Sequence, residues 1–353
     1  MEILVLAIAF VIILAGAELF TNSIEWFGRK LGLAEGAVGS VLAAVGTALP
    51  ETMIPIIAIV FATGEAAEEI GVGAILGAPF MLATLAMFVT GVAVLVVAKR
   101  RTTGDTMQVD SRVLTHDMRY FAIAYGIAIG AAFLPLEPVW LKWIVALVLL
   151  GIYVWYVKGH FAADAELDAS DLAPLRFHRL DARARSVDQA VPRLRVVNLQ
   201  VVVALMLIIV GAIAFVNAVE SIAHTLGVNQ VLLALVIAPI ATELPEKFNS
   251  VIWIRAGKDT LAMGNITGAM VFQATIPTVV ALLLAPAAWH ATDGSYTAFA
   301  SAGIAFASSA IIFIPLTRSG RLRGRNLLVG GVFYLAYLVF VVAVITGVVG
   351  IGG

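Results

Sequence analysis

Ten long apolar runs divide this chain, and each is long enough for a helix to cross a lipid bilayer, which takes about 20 residues. The runs lie near 3–27, 36–62, 70–97, 119–135, 138–157, 197–218, 229–254, 260–285, 296–316 and 327–349. Hydrophobic residues make up 61% of the chain and charged residues only 13%, whereas soluble domains have about 25% charged residues. We therefore predict an all-α polytopic membrane protein embedded in a lipid bilayer.

Charge and cysteine content exclude several other classes of protein. The formal net charge of −1 argues against a nucleic-acid-binding surface. With no cysteine, the chain holds no disulfide, zinc finger or iron–sulfur cluster. The sequence also lacks a nucleophile motif, a phosphate loop and a dinucleotide fingerprint. We therefore expect neither an enzyme nor an ATP-driven pump, and no cofactor; the oligomeric state stays open.

The basic residues predict the orientation of the chain in the membrane. All but two of the 22 Lys and Arg residues lie in every second loop, and the exceptions, Lys142 and Lys247, lie inside spans. The positive-inside rule then predicts that both termini are outside and that the polar segment 158–196 is cytoplasmic. We expect the protein to lie in the cell (inner) membrane. Because segment 158–196 mixes acids, bases and prolines, we expect a solvated linker, with regulation or partner binding as the alternative.

The chain contains an internal repeat. Gly16–Glu51 aligns without a gap on Gly211–Glu246, and about a third of the positions are identical. This predicts a first five-helix repeat over 1–157, a cytoplasmic linker over 158–196 and a second five-helix repeat over 197–353. Because five is odd, the two repeats insert with opposite orientation. Inverted repeats are typical of transporters, with a site at the bilayer midplane, although channels also have repeats.

Each repeat carries a Pro-Glu motif inside an apolar run: Gly46–Glu51 in the first and Ala241–Glu246 in the second. Proline interrupts helical hydrogen bonding and frees carbonyl groups, which lipid tolerates only where protein, water or an ion satisfies them. A carboxylate at the centre of a span costs at least about 2.5 kcal/mol. The two motifs therefore predict a cation site lined by oxygens, and Ca²⁺ prefers six to eight such ligands.

These motifs resemble those of the calcium/cation antiporters, which include the sodium/calcium and proton/calcium exchangers. The family pattern, Gly-Thr-Ser-x-Pro-Glu followed by Gly-Asn-x-x-Gly-Ser-Asn-x-Phe-Asn, is similar to Gly46–Glu51, Ala241–Glu246, Gly264–Gln273 and, more weakly, Gly73–Met81. The resemblance covers nearly the whole chain. It implies a fold of ten transmembrane helices with a central metal site from helices 2, 3, 7 and 8. The residues that match its ion ligands are Glu51, Glu246, Thr47, Thr242 and Asn265.

Several positions depart from the family pattern. Ala74 replaces the asparagine of the third span, and Ala48 and Glu243 replace the motif serines. Asn265 stands where we expect the aspartate that sodium/calcium exchangers often have on helix 8. Sodium thus loses hydroxyl and amide ligands, whereas a proton needs only a carboxylate. This favours proton coupling.

Glu243 and Lys247 are additional charges within the second motif. Glu243 lies three residues before Glu246, on the same face of a helix, and Lys247 lies four residues after Glu243. In one interpretation Glu243 is a further metal ligand, and Lys247 tunes its charge or occupies the site when the cation leaves. In the other, the two residues form a structural pair that neutralises buried charge.

Other polar residues in the spans are weaker candidates. Glu18 either guides ions, pairs with Arg29 or caps a neighbouring helix, and Glu25 and Glu220 are expected at the membrane interface. The residues of spans 7 and 8 that could face the ion pathway are Asn249, Ser250, Thr267 and Gln273.

Taken together, the sequence predicts a secondary antiporter that moves a cation, with Ca²⁺ favoured, against H⁺ or Na⁺ by alternating access. Glu51 and Glu246 are expected to bind the cation and the counter-ion in turn. A monovalent Na⁺(K⁺)/H⁺ exchanger is the main alternative, suggested by Ala74, Asn265 and Lys247. A cation channel and a membrane-embedded enzyme are less favoured.

Overall fold

The structure is a computed structural model, and it describes residues 2–48, 52, 75, 77–161, 172–180, 192–226, 244–287, 289–291 and 296–345. These residues are mostly helical. The principal helices are α1 (Glu2–Lys30), α2 (residues 35–48), α3 (Gly77–Arg100), α4 (Ser111–Ala131), α5 (Trp140–Phe161), α6 (Leu194–Leu226), α7 (Leu244–Arg255), α8 (Asp259–Leu284), α9 (Tyr296–Ser319) and α10 (Val329–Ile345). Each predicted apolar run overlaps one of them.

Seven of the described helices are long and apolar enough to cross a membrane, namely α1, α3, α5, α6, α8, α9 and, with the short turn before it, α10. Helices α2 and α7 adjoin residues outside the description, so the structure does not test their length. The helical, multi-pass character of the fold agrees with the sequence. The count of ten spans and the inverted repeat remain predictions.

Helix α4 begins at Ser111, well before the fourth apolar run predicted near residue 119. Asp110 caps the helix, because its carboxylate accepts hydrogen bonds from the backbone N–H groups of Arg112 (2.8 Å) and Val113 (3.4 Å). The first two turns of α4 are polar, which lowers the local hydropathy and hides the start of the helix. Arg119 therefore lies within a helix and not in a loop.

The contacts within the chain divide it into two compact units. Unit 1 comprises Met1–Pro50 and Val157–Asn265, and unit 2 comprises Glu51–Tyr156 and Ile266–Gly353. Each unit draws on both halves of the sequence. The predicted division into two repeats and a linker rests on sequence similarity and remains a prediction.

In unit 1, α1 and α6 pack closely against each other. A Cβ atom added to Gly16 would lie 2.9 Å from Ile208 Cγ1, and one added to Gly211 would lie 2.8 Å from Ile13 Cγ1. Small residues allow such close approach of membrane helices. Gly16 and Gly211 are equivalent in the repeat, and so are Ile13 and Ile208. This reciprocal packing is what two helices related by a two-fold axis would have.

The described central part of segment 158–196, residues 172–180, is mostly exposed, but two of its leucines dock against unit 1. Leu172 and Leu175 pack with Trp26 of α1 and with Val196 and Val197 of α6. Trp26 Nε1 donates a hydrogen bond to Ala173 O (2.8 Å). Two buried leucines and a tryptophan anchor this stretch. The sequence did not indicate this, because the many charged residues of the segment lower its average hydrophobicity.

In unit 2, short connections are held by specific polar contacts. Residues Thr106–Met107 and Leu322–Arg323 pair as a two-stranded antiparallel ribbon. Lys142, one of the two bases inside the predicted spans, is fully buried, and its Nζ donates to Pro286 O (2.6 Å) and Trp289 O (2.8 Å). Lys142 therefore satisfies carbonyl groups that follow the end of α8, which is a structural role.

Candidate functional site

Thr47 and Asn265, two of the predicted metal ligands, lie in contact within unit 1. Thr47 Oγ1 is 3.2 Å from Asn265 Oδ1, and both side chains are completely buried. Thr47 Oγ1 also lies 3.0 Å from Ala43 O, one turn earlier in α2. A hydroxyl group donates only one proton, so Thr47 donates either to Ala43 O or to Asn265 Oδ1. The pair therefore presents two side-chain oxygens at one point in the protein interior.

Close packing of α2 against α8 brings these two residues together. A Cβ atom added to Gly264 would lie 2.8 Å from Ser40 Oγ, so only glycine fits next to Asn265 at this separation of the helices. The facing stretch of α2, Val38–Ala43, is π-helical. Such widened turns occur frequently at functional sites.

The structure does not test the other predicted ligands. Glu51, Thr242 and Glu243 lie outside the described residues, as does Ala74. Glu246 belongs to α7, but its side chain is not part of the description. Their roles as ligands therefore remain predictions.

Lys247, which follows Glu246 in α7, has a buried side chain that is 4% exposed. A buried ammonium group needs compensating oxygens or charges, which agrees with either interpretation of this residue. Its burial excludes the simplest alternative, in which Lys247 reaches water at the membrane surface.

Asn249 is a stronger candidate than the sequence alone indicates. Its side chain is completely buried, and neither its Oδ1 nor its Nδ2 has a hydrogen-bond partner among the described residues. Most buried side-chain amides are hydrogen-bonded, so the amide of Asn249 is open to a water or an ion as far as the described residues show. Asn249 lies three residues after Glu246, on the same face of α7, and that spacing is the signal available in the sequence.

The other pathway candidates have different surroundings. Ser250 Oγ donates to Ala262 O (3.1 Å) and thereby joins α7 to α8. Gln273 is 2% exposed. Thr267 Oγ1 donates to Asp117 Oδ2 (2.5 Å), so its hydroxyl group is directed at a carboxylate on α4.

Asp117 is a buried carboxylate that the sequence analysis missed. It has no exposed surface, and besides Thr267 it accepts a hydrogen bond from the hydroxyl group of Tyr156 on α5 (3.0 Å). It thus joins three helices of unit 2. It was missed because the fourth span was predicted to begin after residue 117. The sequence does offer a signal: Asp110 is a helix-capping residue type, and it lies four residues before Leu114, the first leucine of α4.

Two glutamates of α1 have structural partners in unit 1. Glu18 pairs with Arg176 (2.8 Å) and not with Arg29. Glu25 was expected at the membrane interface but is buried at 8% exposure. It accepts a hydrogen bond from Trp253 Nε1 (2.8 Å) and forms an ion pair with Lys258.

Comparisons with known proteins agree with this architecture. The sequence model of the family described as sodium/calcium exchanger protein matches residues 1–159 and 197–346. CaxA of Alkalimonas amylolytica, which is named as an antiporter, is 28% identical over 137 residues; these are 39% of this chain and 42% of that protein. The alignment thus spans less than half of that relative.

The fold is similar to that of the sodium-calcium exchanger NCX_Mj. A structure of that protein soaked with 10 mM Na⁺ and no Ca²⁺ has a TM-score of 0.68 at 16% identity, covering 96% of this chain and 98% of the other. A second, with 2.5 mM Na⁺ and 0.1 mM Sr²⁺, has a TM-score of 0.69 at 17% identity, covering 96% and 99%. At this identity the similarity shows the fold alone. The family match covers most of the chain, which is therefore an integral multi-pass membrane protein belonging to the sodium/calcium exchanger protein family.

Proposed function

We propose that this protein is a secondary active antiporter that exchanges Ca²⁺ against H⁺ or Na⁺ by alternating access. The cation site is formed around the two Pro-Glu motifs. Glu51 and Glu246 supply its carboxylates, Thr47, Thr242 and Asn265 supply neutral oxygens, and Glu243 is a further ligand. The same carboxylates bind the counter-ion after the cation leaves, so that exchange needs no hydrolysable fuel.

The contact between Thr47 and Asn265 carries this proposal. Ca²⁺ binds its oxygen ligands at 2.3–2.6 Å, so two neighbouring ligands of one ion are about 3.4 Å apart. The hydrogen bond from Thr47 Oγ1 to Asn265 Oδ1 holds these two oxygens 3.2 Å apart, close to that separation. The two residues come from opposite halves of the sequence, as expected for a site between repeats.

The residues around the site favour protons as the counter-ion. A Na⁺ ion needs oxygen ligands of its own, and Ala48 and Ala74 supply none. A proton needs only a carboxylate. Because the candidate ligands are few, a carboxylate that binds Ca²⁺ and H⁺ alternately is the simplest means of coupling.

The burial of Lys247 supports one alternative, a monovalent Na⁺(K⁺)/H⁺ exchanger. A fixed positive charge near the site weakens binding of a divalent cation about twice as strongly as that of a monovalent one, since the Coulomb energy scales with ionic charge. In this alternative Lys247 selects against Ca²⁺.

The direct test is uptake of ⁴⁵Ca²⁺ into proteoliposomes, with an outward proton gradient in one experiment and an outward Na⁺ gradient in another. The proposal predicts uptake driven by one gradient and abolished by Glu51→Gln or Glu246→Gln. Glu18→Gln is the matched control, because it removes an exposed carboxylate of α1. Absence of Ca²⁺ uptake from active preparations that exchange Na⁺ for H⁺ would establish the monovalent alternative instead.

A further inference from the structure

An apolar groove lies between α4 and α9 in unit 2. Its volume is about 280 Å³, and its apolar walls include Leu114, Phe121, Phe306, Phe313 and Leu316. The groove is open on one side, because Ala122, Ala310 and Ile314 line it and are exposed. Helix α9 is long and apolar enough to cross a membrane, and an open apolar groove beside such a helix faces lipid chains.

The same groove contains polar groups without partners. Arg119 lines it and is exposed, and it forms no ion pair within the described part of the chain. Ser309 also lines it, is only 6% exposed, and its Oγ has no hydrogen-bond partner among the described residues. A buried hydroxyl group and an arginine are therefore both available to a molecule that occupies the groove.

Further positive charge surrounds one end of the groove. Arg318 directly follows Thr317, which lines the groove, and Arg112 lies one turn before Thr115, which also lines it. Both arginines are exposed. Two arginines, Arg112 and Arg318, thus flank this end of the groove in the sequence, and a third, Arg119, lines its wall.

The nearby acids are engaged elsewhere. Asp105 lies 3.7 Å from Arg325, Asp110 caps α4, and Asp117 is buried against Thr267 and Tyr156. Arg325 offsets the charge of Asp105, whereas hydrogen bonding does not remove the formal charges of Asp110 and Asp117. Three arginines against these two carboxylates still leave a net positive formal charge in this region. This charge complements a phosphate group.

We propose that the groove binds an anionic phospholipid. One acyl chain lies along the aromatic and aliphatic walls, and the phosphate group pairs with Arg119 and Arg318. Ser309 donates its hydroxyl proton to an ester carbonyl of the lipid. The occupant belongs to the leaflet on the side of the basic loops, where anionic headgroups attract arginines near the membrane surface.

Native mass spectrometry of the detergent-purified protein tests this proposal, with phosphatidylglycerol and phosphatidylethanolamine of the same acyl chains as probes. We expect one phosphatidylglycerol to be retained in preference to phosphatidylethanolamine. Arg119→Gln should lower this binding about fivefold, the effect of one surface arginine, and Arg119→Lys should preserve most of it. Ala310→Phe should remove binding of both lipids by filling the groove.

The matched control is Arg255→Gln, which neutralises an exposed arginine at the end of α7, in unit 1. It should leave phosphatidylglycerol binding unchanged. An equal loss in this control would mean that the protein attracts anionic lipid without a site, and would overturn the proposal. So would equal retention of both lipids, or wild-type binding by Arg119→Gln. The Arg119 variants change only an exposed residue, so their result stands even where Ala310→Phe fails to fold.

Discussion

The two halves of this chain share a motif but differ in the polar residues next to it. At equivalent positions after the Pro-Glu pair, the second half has Lys247 and Asn249 where the first has Thr52 and Ile54. The difference continues in the next helix, where Asn265 of α8 corresponds to Ala74. At these positions the second half of the sequence is therefore richer in amide and charged side chains than the first.

The packing of α1 against α6 has no such imbalance. Gly16 packs against Ile208, and its equivalent Gly211 packs against Ile13, which is the equivalent of Ile208. A Cβ atom added to either glycine would lie at nearly the same distance from the isoleucine, 2.9 Å and 2.8 Å. Close packing constrains both members of the pair, because any added Cβ would meet the opposite helix. An ion constrains only the number and charge of its ligands. The packing of α1 against α6 is therefore alike on its two sides, whereas the polar residues after the two motifs differ.

The largest effect is expected where the two halves are still alike. Glu51→Gln and Glu246→Gln should each reduce exchange more than about a hundredfold, because the loss of a charged ligand exceeds the 10–100-fold cost of an outer contact. The initial rate of ⁴⁵Ca²⁺ uptake measures this. If one variant keeps full activity, the ion site depends on only one half.

A smaller effect is expected at Asn265, where the halves differ. Asn265→Ala makes α8 resemble the first half and should raise the KM for Ca²⁺ about tenfold. The control is Thr275→Ala, which removes a buried hydroxyl group of α8 that donates to Val271 O (2.7 Å). An unchanged KM in Asn265→Ala would remove Asn265 from the ligand set.

Lys247→Thr replaces the buried lysine by the residue at the equivalent position of the first half. Loss of the positive charge should raise the preference for Ca²⁺ over Na⁺ by up to about tenfold. Competition between Na⁺ and ⁴⁵Ca²⁺ in proteoliposomes gives this ratio. Wild-type selectivity would support the structural interpretation, in which Lys247 only neutralises buried charge.

The smallest effects are expected in the scaffold. Glu25→Gln should lower the Tm without altering ion selectivity, because Glu25 is buried between Trp253 and Lys258. Glu18→Gln breaks an exposed pair and should change stability by less than about 1 kcal/mol. Thermal unfolding of the two variants in one detergent measures the difference, and equal Tm values would contradict it.

Much of the fold could be predicted from the sequence because lipid imposes long apolar helices. The contact of Thr47 with Asn265 was also predictable, since it follows from the motif of each helix. Asp117 was not, because windowed hydropathy places the polar first turns of α4 in a loop. The docking of Leu172 and Leu175 was missed for a similar reason: their neighbours are charged, and average composition conceals two anchoring residues.

The central claim is that transport of the cation is obligatorily coupled to a counter-ion. Recording ⁴⁵Ca²⁺ uptake and internal pH together in proteoliposomes tests it most directly, with internal Na⁺ varied between samples. The account predicts that each Ca²⁺ entering is matched by H⁺ or Na⁺ leaving, and that uptake stops when the internal counter-ion is removed. Ca²⁺ entry that continues at the same rate while neither H⁺ nor Na⁺ leaves would identify a channel and contradict the account.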